Sequence, residues 1–188
     1  MGLRTVVLAP IGIALTLLSG TGATGAPSTG PWASRHRPLR LEPLAAGARC
    51  PVSRPHPLDH GRLGGAGPGP IHPMPSPFTA SDRHPGWLAS KTIWAWPVRL
   101  KTHRERVLVR GRRLDRRGPV RFQLGPAWDT TTRTTELHID TTRTVGSFSN
   151  SRWGTTVTLL LVRAPGCYGL QLDFARHTET IVIRATPR

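Results

Sequence analysis

Histidine and aspartate lie closest together in His56-Pro57-Leu58-Asp59-His60, with His72 and His84 further along. On a helix, the four-residue spacing of His56 and His60 would place two imidazoles on one face, as a metal site needs. Pro57 stands between them in an extended context, so no metal centre is expected. Asp59 and His60 have no nucleophile beside them, and the sequence holds neither a Gly-x-Ser-x-Gly elbow nor a phosphate-cradling glycine loop. Glu136 with Asp140, and Gln171 with Asp173, fall on outward strand positions, where carboxylates two or four apart share a face as a glycosidase pair must. A solvated strand face has the same spacing, and that is the expectation for both sets. No catalytic residue and no cofactor are assigned. A hydrolase built from surface carboxylates and histidines stays as an alternative, which requires at least two of Asp59, His60, His138, Asp140 and Asp173 within hydrogen-bond reach in one concave pocket.

Two further chemistries remain. Cys50 and Cys167 are the only thiols. In an exported chain such a pair forms a bridge, whereas a nucleophilic Cys167 would need a free thiol and a partner base. The second chemistry is cationic. Lys and Arg number 26 against 10 Asp and Glu, a formal charge of +16, and only Lys91 and Lys101 are lysines. Residues 99–121 concentrate this excess in Arg99, Lys101, Arg104, Arg106, Arg110, Arg112, Arg113, Arg116, Arg117 and Arg121, against Glu105 and Asp115. Guanidinium forks pair with phosphate and carboxylate, so Arg104, Arg106, Arg110, Arg112, Arg113, Arg116, Arg117 and Arg121 form the candidate polyanion-binding face. Its partner would be an anionic wall polymer or a lipid surface. The competing reading is compositional, with arginine replacing lysine throughout and forming a solvated face. No nucleic-acid-binding signature is present, so no specific nucleic acid is expected. Trp94 and Trp96 either stack on these arginines or lie buried.

The elements that must position these groups divide the chain in three. Arg4, the short apolar stretch Val6 to Leu18 and the small residues Ser19 to Ala26 have the layout of a secretory signal peptide over residues 1–25. The apolar stretch is too short for a membrane anchor, so no transmembrane segment is expected after its removal. Residues 26–86 hold 13 of the 19 prolines and 8 of the 20 glycines and show no helical or strand period. They are expected to form a partly disordered extended arm without a central strand. From residue 87 to 188 short alternating runs take over: Ser90–Trp96, Arg106–Leu114, Pro119–Leu124, Thr135–Ile139, Thr155–Arg163, Cys167–Phe174 and Thr180–Arg184. About seven strands without a convincing helix predict an all-β antiparallel sandwich.

Alternation assigns the faces. Val107, Val109, Val120, Phe122, Leu124, Leu137, Ile139, Tyr168, Leu170, Leu172, Phe174, Ile181 and Ile183 point inward, and Arg106, Arg110, Arg121, Gln123, Glu136, His138 and Asp140 outward. Leu159 to Val162 is apolar on both faces and suits a central strand. In Pro165-Gly166-Cys167-Tyr168, a tyrosine entering a late strand matches the tyrosine corner of immunoglobulin-like sandwiches, whose hydroxyl ties down nearby backbone. With Tyr168 inward, Cys167 faces the other way, and a bridge to Cys50 would pin the arm to the sheet's outer surface or edge.

Trp87 with Lys91-Thr92-Ile93-Trp94, Val107 to Asp115, Ala164 to Tyr168 with Gln171-Leu172-Asp173, and Ile181 to Ala185 together resemble a group of uncharacterised exported bacterial proteins. Those proteins similarly carry a Cys-Pro pair after the signal, here Cys50-Pro51. The resemblance implies export, the sandwich and the bridge, and no activity. This chain departs from the group at Arg116-Arg117 before Gly118, where a plain Asp-Gly turn would be expected. The reading at this point is a secreted or envelope-associated module that is not an enzyme and meets an anionic surface. An extracytoplasmic protein–protein interaction partner, exposing an apolar patch with Trp128 or Trp153, is the alternative. The sequence names no oligomeric state.

Overall fold

The computed structural model describes residues 30–124, 132–144, 146–148 and 152–187. The expected signal peptide and Trp128 lie outside the described residues. The described chain is all-β. Its strands are β1 (Pro55–Leu58), β2 (Leu63–Ala66), β3 (His72–Pro75), β4 (Thr79–Ala80), β5 (Leu88–Pro97), β6 (Arg106–Arg113), β7 (Val120–Leu124), β8 (Glu136–Asp140), β9 (Gly146–Phe148), β10 (Trp153–Val162), β11 (Gly166–Asp173) and β12 (Thr178–Ala185). One helical turn, α1 (Arg99–Thr102), links β5 to β6. All seven expected strands are present, with ends displaced by one or two residues.

Two antiparallel sheets carry the fold. The first has the order β3-β5-β10-β7, with β4 also on β5 and β9 on β10; the second has the order β12-β11-β6-β8. Their inner faces share one core, in which Trp94, Phe122 and Leu160 of the first sheet meet Val109, Leu137, Tyr168 and Leu170 of the second. Trp94 and Trp96 are both fully buried, so neither stacks on an arginine at the surface. Each such side chain contributes about 1.5–3 kcal/mol through its burial. The segment Leu159 to Val162 runs between β5 and β7 as a central strand, and Leu160, Leu161 and Val162 are fully buried, so both of its faces are covered there.

Strands β1 to β4 lie within the Pro-rich stretch. Prolines recur there at every second position, Pro55 and Pro57 in β1 and Pro73 and Pro75 in β3. Residues two apart in a strand turn their nitrogens to the same side, so the missing donors all face away from the partner strand. Such a strand pairs on one side only. Accordingly β3 is the edge of the first sheet, and β1 pairs with β2 alone as a separate hairpin.

The side-chain faces follow the alternation with two corrections. Leu124 is 45% exposed, because β7 ends there and its side chain has no opposite strand to meet. Gln123 points away from the core yet is buried, since the loop before β5 folds over it and its Oε1 lies 2.7 Å from His84 Nε2. Over the same loop, Arg163 stacks on the buried Trp87 ring at 4.2 Å.

Tyr168 is buried, and its hydroxyl donates to the Ala164 carbonyl at 2.7 Å, four residues upstream. Removing the hydroxyl leaves that carbonyl without its donor. Tyr168→Phe is expected to lower unfolding free energy by about 1–2 kcal/mol, seen as a lower denaturant midpoint at unchanged slope. An unchanged midpoint would mean that water replaces the tie.

Candidate functional site

The outer face of the second sheet is covered rather than solvated. Residues 37–50 cross it as a strap. The Cys50–Cys167 disulfide fixes one end, with Cα atoms 5.5 Å apart and a sequence separation of 117. Inside the bridge, Leu41 packs with Leu114 and Cys167 in a small second core, against Leu44 and Val182. Gly169 provides the seat. A Cβ there would come within 3.0 Å of both Leu41 and Leu114, so a side chain would lift the strap. The Leu44 amide donates to the Leu114 carbonyl at 2.8 Å.

Beyond Leu41 the strap is held by side chains of the sheet. Gln171 uses both ends of its amide, accepting from the Arg40 amide at 2.6 Å and donating to the Pro38 carbonyl at 3.0 Å. Arg110 Nη2 donates to the Arg37 carbonyl and, at 2.7 Å, to Asp173 Oδ2. Arg112 Nη2 donates to the Leu41 carbonyl. Asp173 is fully buried and also accepts from Thr178 Oγ1 at 2.7 Å. Gln171 and Asp173, expected on a solvated face, therefore sit under the strap in a shared polar network with Arg110 and Thr178.

This arrangement divides the eight candidate arginines. Arg110 and Arg112 hold the strap. Arg113 pairs with Asp115 at 2.7 Å and donates to the Pro165 carbonyl at 2.7 Å; its fork bonds pull the exposed Asp115 carboxyl below its ordinary range. These three guanidinium groups are engaged within the chain, so the expected single face does not form. Arg116 and Arg117 are exposed in the turn after β6, while Arg104 and Arg106 are exposed at the other end of that strand. Eight residues of extended chain separate those ends by roughly 25 Å. Arg121 lies on β7, in the first sheet.

Cations converge at the Arg104 end, where three turns meet. The turn between β5 and β6 brings exposed Arg99, Lys101 and Arg104, the turn after β8 brings Arg143, and the residue before β10 is Arg152. Thr141 ties two of these turns together, donating its hydroxyl to the Leu100 carbonyl at 2.9 Å and its amide to the Glu105 carbonyl at 3.0 Å. The Val98 amide donates to the Arg152 carbonyl at 2.8 Å and ties in the third. Two acidic groups at this end are already engaged. Glu105 Oε1 accepts from the Ala175 amide at 3.0 Å, and Asp140 accepts from the Thr142 hydroxyl at 2.6 Å and lies 3.6 Å from Arg106 Nε. Arg106 and those Thr142 bonds lower the Asp140 pKa despite its burial. An open hollow of about 720 Å³ lies between Lys101, Arg104, Arg106 and Asp140. Its walls can accept phosphate or carboxylate groups.

The histidines are placed in different neighbourhoods. His56 and His72 stack at 4.4 Å, with Trp153 edge-on to His72 at 6.0 Å. His60 contacts Arg152, and His84 is buried beside Gln123. Among the described residues, no group of three or more His, Cys, Asp or Glu side chains could hold a metal ion. Of the five groups that a hydrolase would need, Asp59 and His60 border one cleft, His138 and Asp140 another hollow, and Asp173 lies under the strap. No hydrogen bond joins any two of these side chains among the described residues. The large apolar side chains that are exposed, Leu39, Val52, Leu63, Val98 and Leu124, belong to separate segments. Trp153 is half-buried against His72.

No family model and no curated protein matches this chain. A solved structure described as a "putative lipoprotein from Bacillus anthracis" is similar to it, at 12% sequence identity and a TM-score of 0.46 over 74% of this chain and 88% of that one. No helix among the described residues is long and apolar enough to cross a membrane.

Proposed function

We propose that this protein is an exported, envelope-associated binding module that is not an enzyme and meets an anionic surface through one end of its β-structure. The observation that carries the reading is the convergence of Arg99, Lys101, Arg104, Arg106, Arg143 and Arg152 from three hydrogen-bonded turns, with Glu105 and Asp140 already engaged. Arg104 and Arg106 stay in the proposed face. Arg110, Arg112 and Arg113 leave it, and Arg116 and Arg117 serve as distant controls. The Cys50–Cys167 bridge supports export, because such bonds persist in oxidising compartments. Two antiparallel sheets around one core and the Tyr168 tie support an immunoglobulin-like sandwich. The proposed organisation is a signal peptide over 1–25, a Pro/Gly-rich arm over 26–86 that lends β3 and β4 to the first sheet, and the body of the sandwich from 87 to 188. The resemblance to exported proteins with a Cys-Pro pair belongs to the same proposal.

Retention on an anionic wall polymer, and on anionic lipid vesicles in a parallel arm, tests it. Each cation near such a surface contributes about 1 kcal/mol at physiological salt. Changing Arg99, Lys101, Arg104 and Arg143 together to Ser is therefore expected to weaken retention by about a hundredfold or more, and salt should weaken the parent in the same way. Arg116→Ser with Arg117→Ser should change it little. Salt-independent retention, or an equal loss in the two variants, would overturn the reading.

A further inference from the structure

Beside the basic end, a cleft of about 410 Å³ opens between the β1–β2 hairpin and the adjoining ends of β5 and β10. Its size falls in the range of small-molecule sites. Pro57, Pro97, Val98 and Trp153 give it an apolar floor, Arg99 and Arg152 give it a cationic rim, and His60 lies beside Arg152. One carboxylate, Asp59, shares that rim with the two guanidinium groups.

The hairpin turn that forms one wall is strained. Asp59, His60 and Gly61 have φ values of 47°, 56° and 84°, three left-handed residues in succession. Only glycine adopts that conformation without cost, and side chains held there at about 1–3 kcal/mol each cluster at ligand clamps. The turn sets His60 against Arg152 across the cleft.

A second recess of about 470 Å³ shares Pro97, Arg99 and Trp153 with the first. It is bordered by His72, which is 2% exposed and whose Nδ1 has no hydrogen-bond partner. Burial, followed by the neighbouring His56, pushes this imidazole down to about 4, so it is neutral at pH 7. Gly69 is packed so close that a Cβ would come 2.5 Å from His72 Nε2, which fixes the ring in place.

We propose that the cleft is a binding site for a small organic anion, with a planar apolar body lying against Trp153, Pro97 and Val98 and a phosphate or carboxylate meeting Arg152 and Arg99. This site is separate from the surface-binding reading, because only Arg99 and Arg152 belong to both.

The test is calorimetric titration with 1-naphthyl phosphate, and with 2-naphthol and inorganic phosphate as its two halves. One saturable site is expected for naphthyl phosphate, with each half at least about tenfold weaker, since both apolar contact and charge-assisted hydrogen bonds are required. Arg152→Gln should weaken binding about tenfold. Val98→Glu, at a position 43% exposed, should abolish it while leaving the denaturation midpoint in place. Lys101→Ser with Arg104→Ser should impair surface retention and leave naphthyl phosphate affinity within about twofold. Lack of saturation, equal affinity for naphthol, or indifference to both Arg152→Gln and Val98→Glu would overturn the site.

Discussion

Asp173→Ala is expected to lower the unfolding free energy by about 3–5 kcal/mol, a large share of the roughly 5–15 kcal/mol that holds a domain together. The reason is what remains. Asp173 is fully buried and accepts from Arg110, Gln171 and Thr178, while the Arg110 side chain is only 17% exposed. Without the carboxylate, a guanidinium is left under the strap with no counter-charge, and it keeps only its bond to the Arg37 carbonyl. Arg110→Met should be similarly destabilising, because it strands the carboxylate instead. The double variant Arg110→Met with Asp173→Leu should recover much of the loss, since an apolar pair of similar size has no charge to desolvate. Denaturant titration of the parent, Asp173→Leu, Arg110→Met and the double variant gives the coupling directly. Additive losses would mean that the ion pair is not the unit that matters.

The same experiment reports on the strap. Arg37 lies across the end of β11, donating to the His177 and Ala175 carbonyls at 2.5 and 2.9 Å, so loss of Asp173 removes the central support of a longer set of bonds. Amide exchange at Arg40, whose N–H donates to Gln171, should quicken before the core strands respond.

Strand positions were legible because the alternation of Val, Ile, Leu and aromatic residues reports a one-sided burial that the inner faces obey. Tyr168, Leu170 and Leu172 are fully buried, as the two-residue period requires. The outer faces were not legible, because alternation says which way a side chain points and not what covers it. Gln171 and Asp173 point outward as read and are nonetheless buried, under a strap about 130 residues earlier in sequence. The basic cluster misled for a related reason. Composition counts charges, but Arg110 and Arg112 are matched to carbonyls that arrive only when the strap is seated, and Arg113 to Asp115 and the Pro165 carbonyl. Arg143 and Arg152 went unread because they are isolated in sequence and join Arg104 only through the Thr141 and Val98 hydrogen bonds. The cleft at Trp153 was hidden too, since Asp59 and His60 carry no sign in sequence of their left-handed backbone.

Changing Cys50 and Cys167 together to Ser is expected to lower stability by about 4–5 kcal/mol, the chain-entropy value for a closed loop of this length. The effect has two sources that a single midpoint cannot separate. One lies in the folded protein, where Cys50 and Cys167 pack in the second core with Leu41 and Leu114. The other lies in the unfolded chain, which the bridge ties between residues 50 and 167 and keeps compact. The denaturant slope distinguishes them, because it grows with the surface exposed on unfolding. If the bridge acts chiefly on the unfolded chain, the Ser variant should show a steeper slope together with its lower midpoint, and reductant should reproduce both in the parent protein. An unaltered slope with a lower midpoint would assign the loss to packing beneath the strap. An unaltered midpoint under full reduction, verified by the mass of the alkylated thiols, would remove the bridge from the account of stability. The strap would then rest on Arg110, Gln171 and Asp173 alone, and Asp173→Ala in the reduced protein would be the change that frees it.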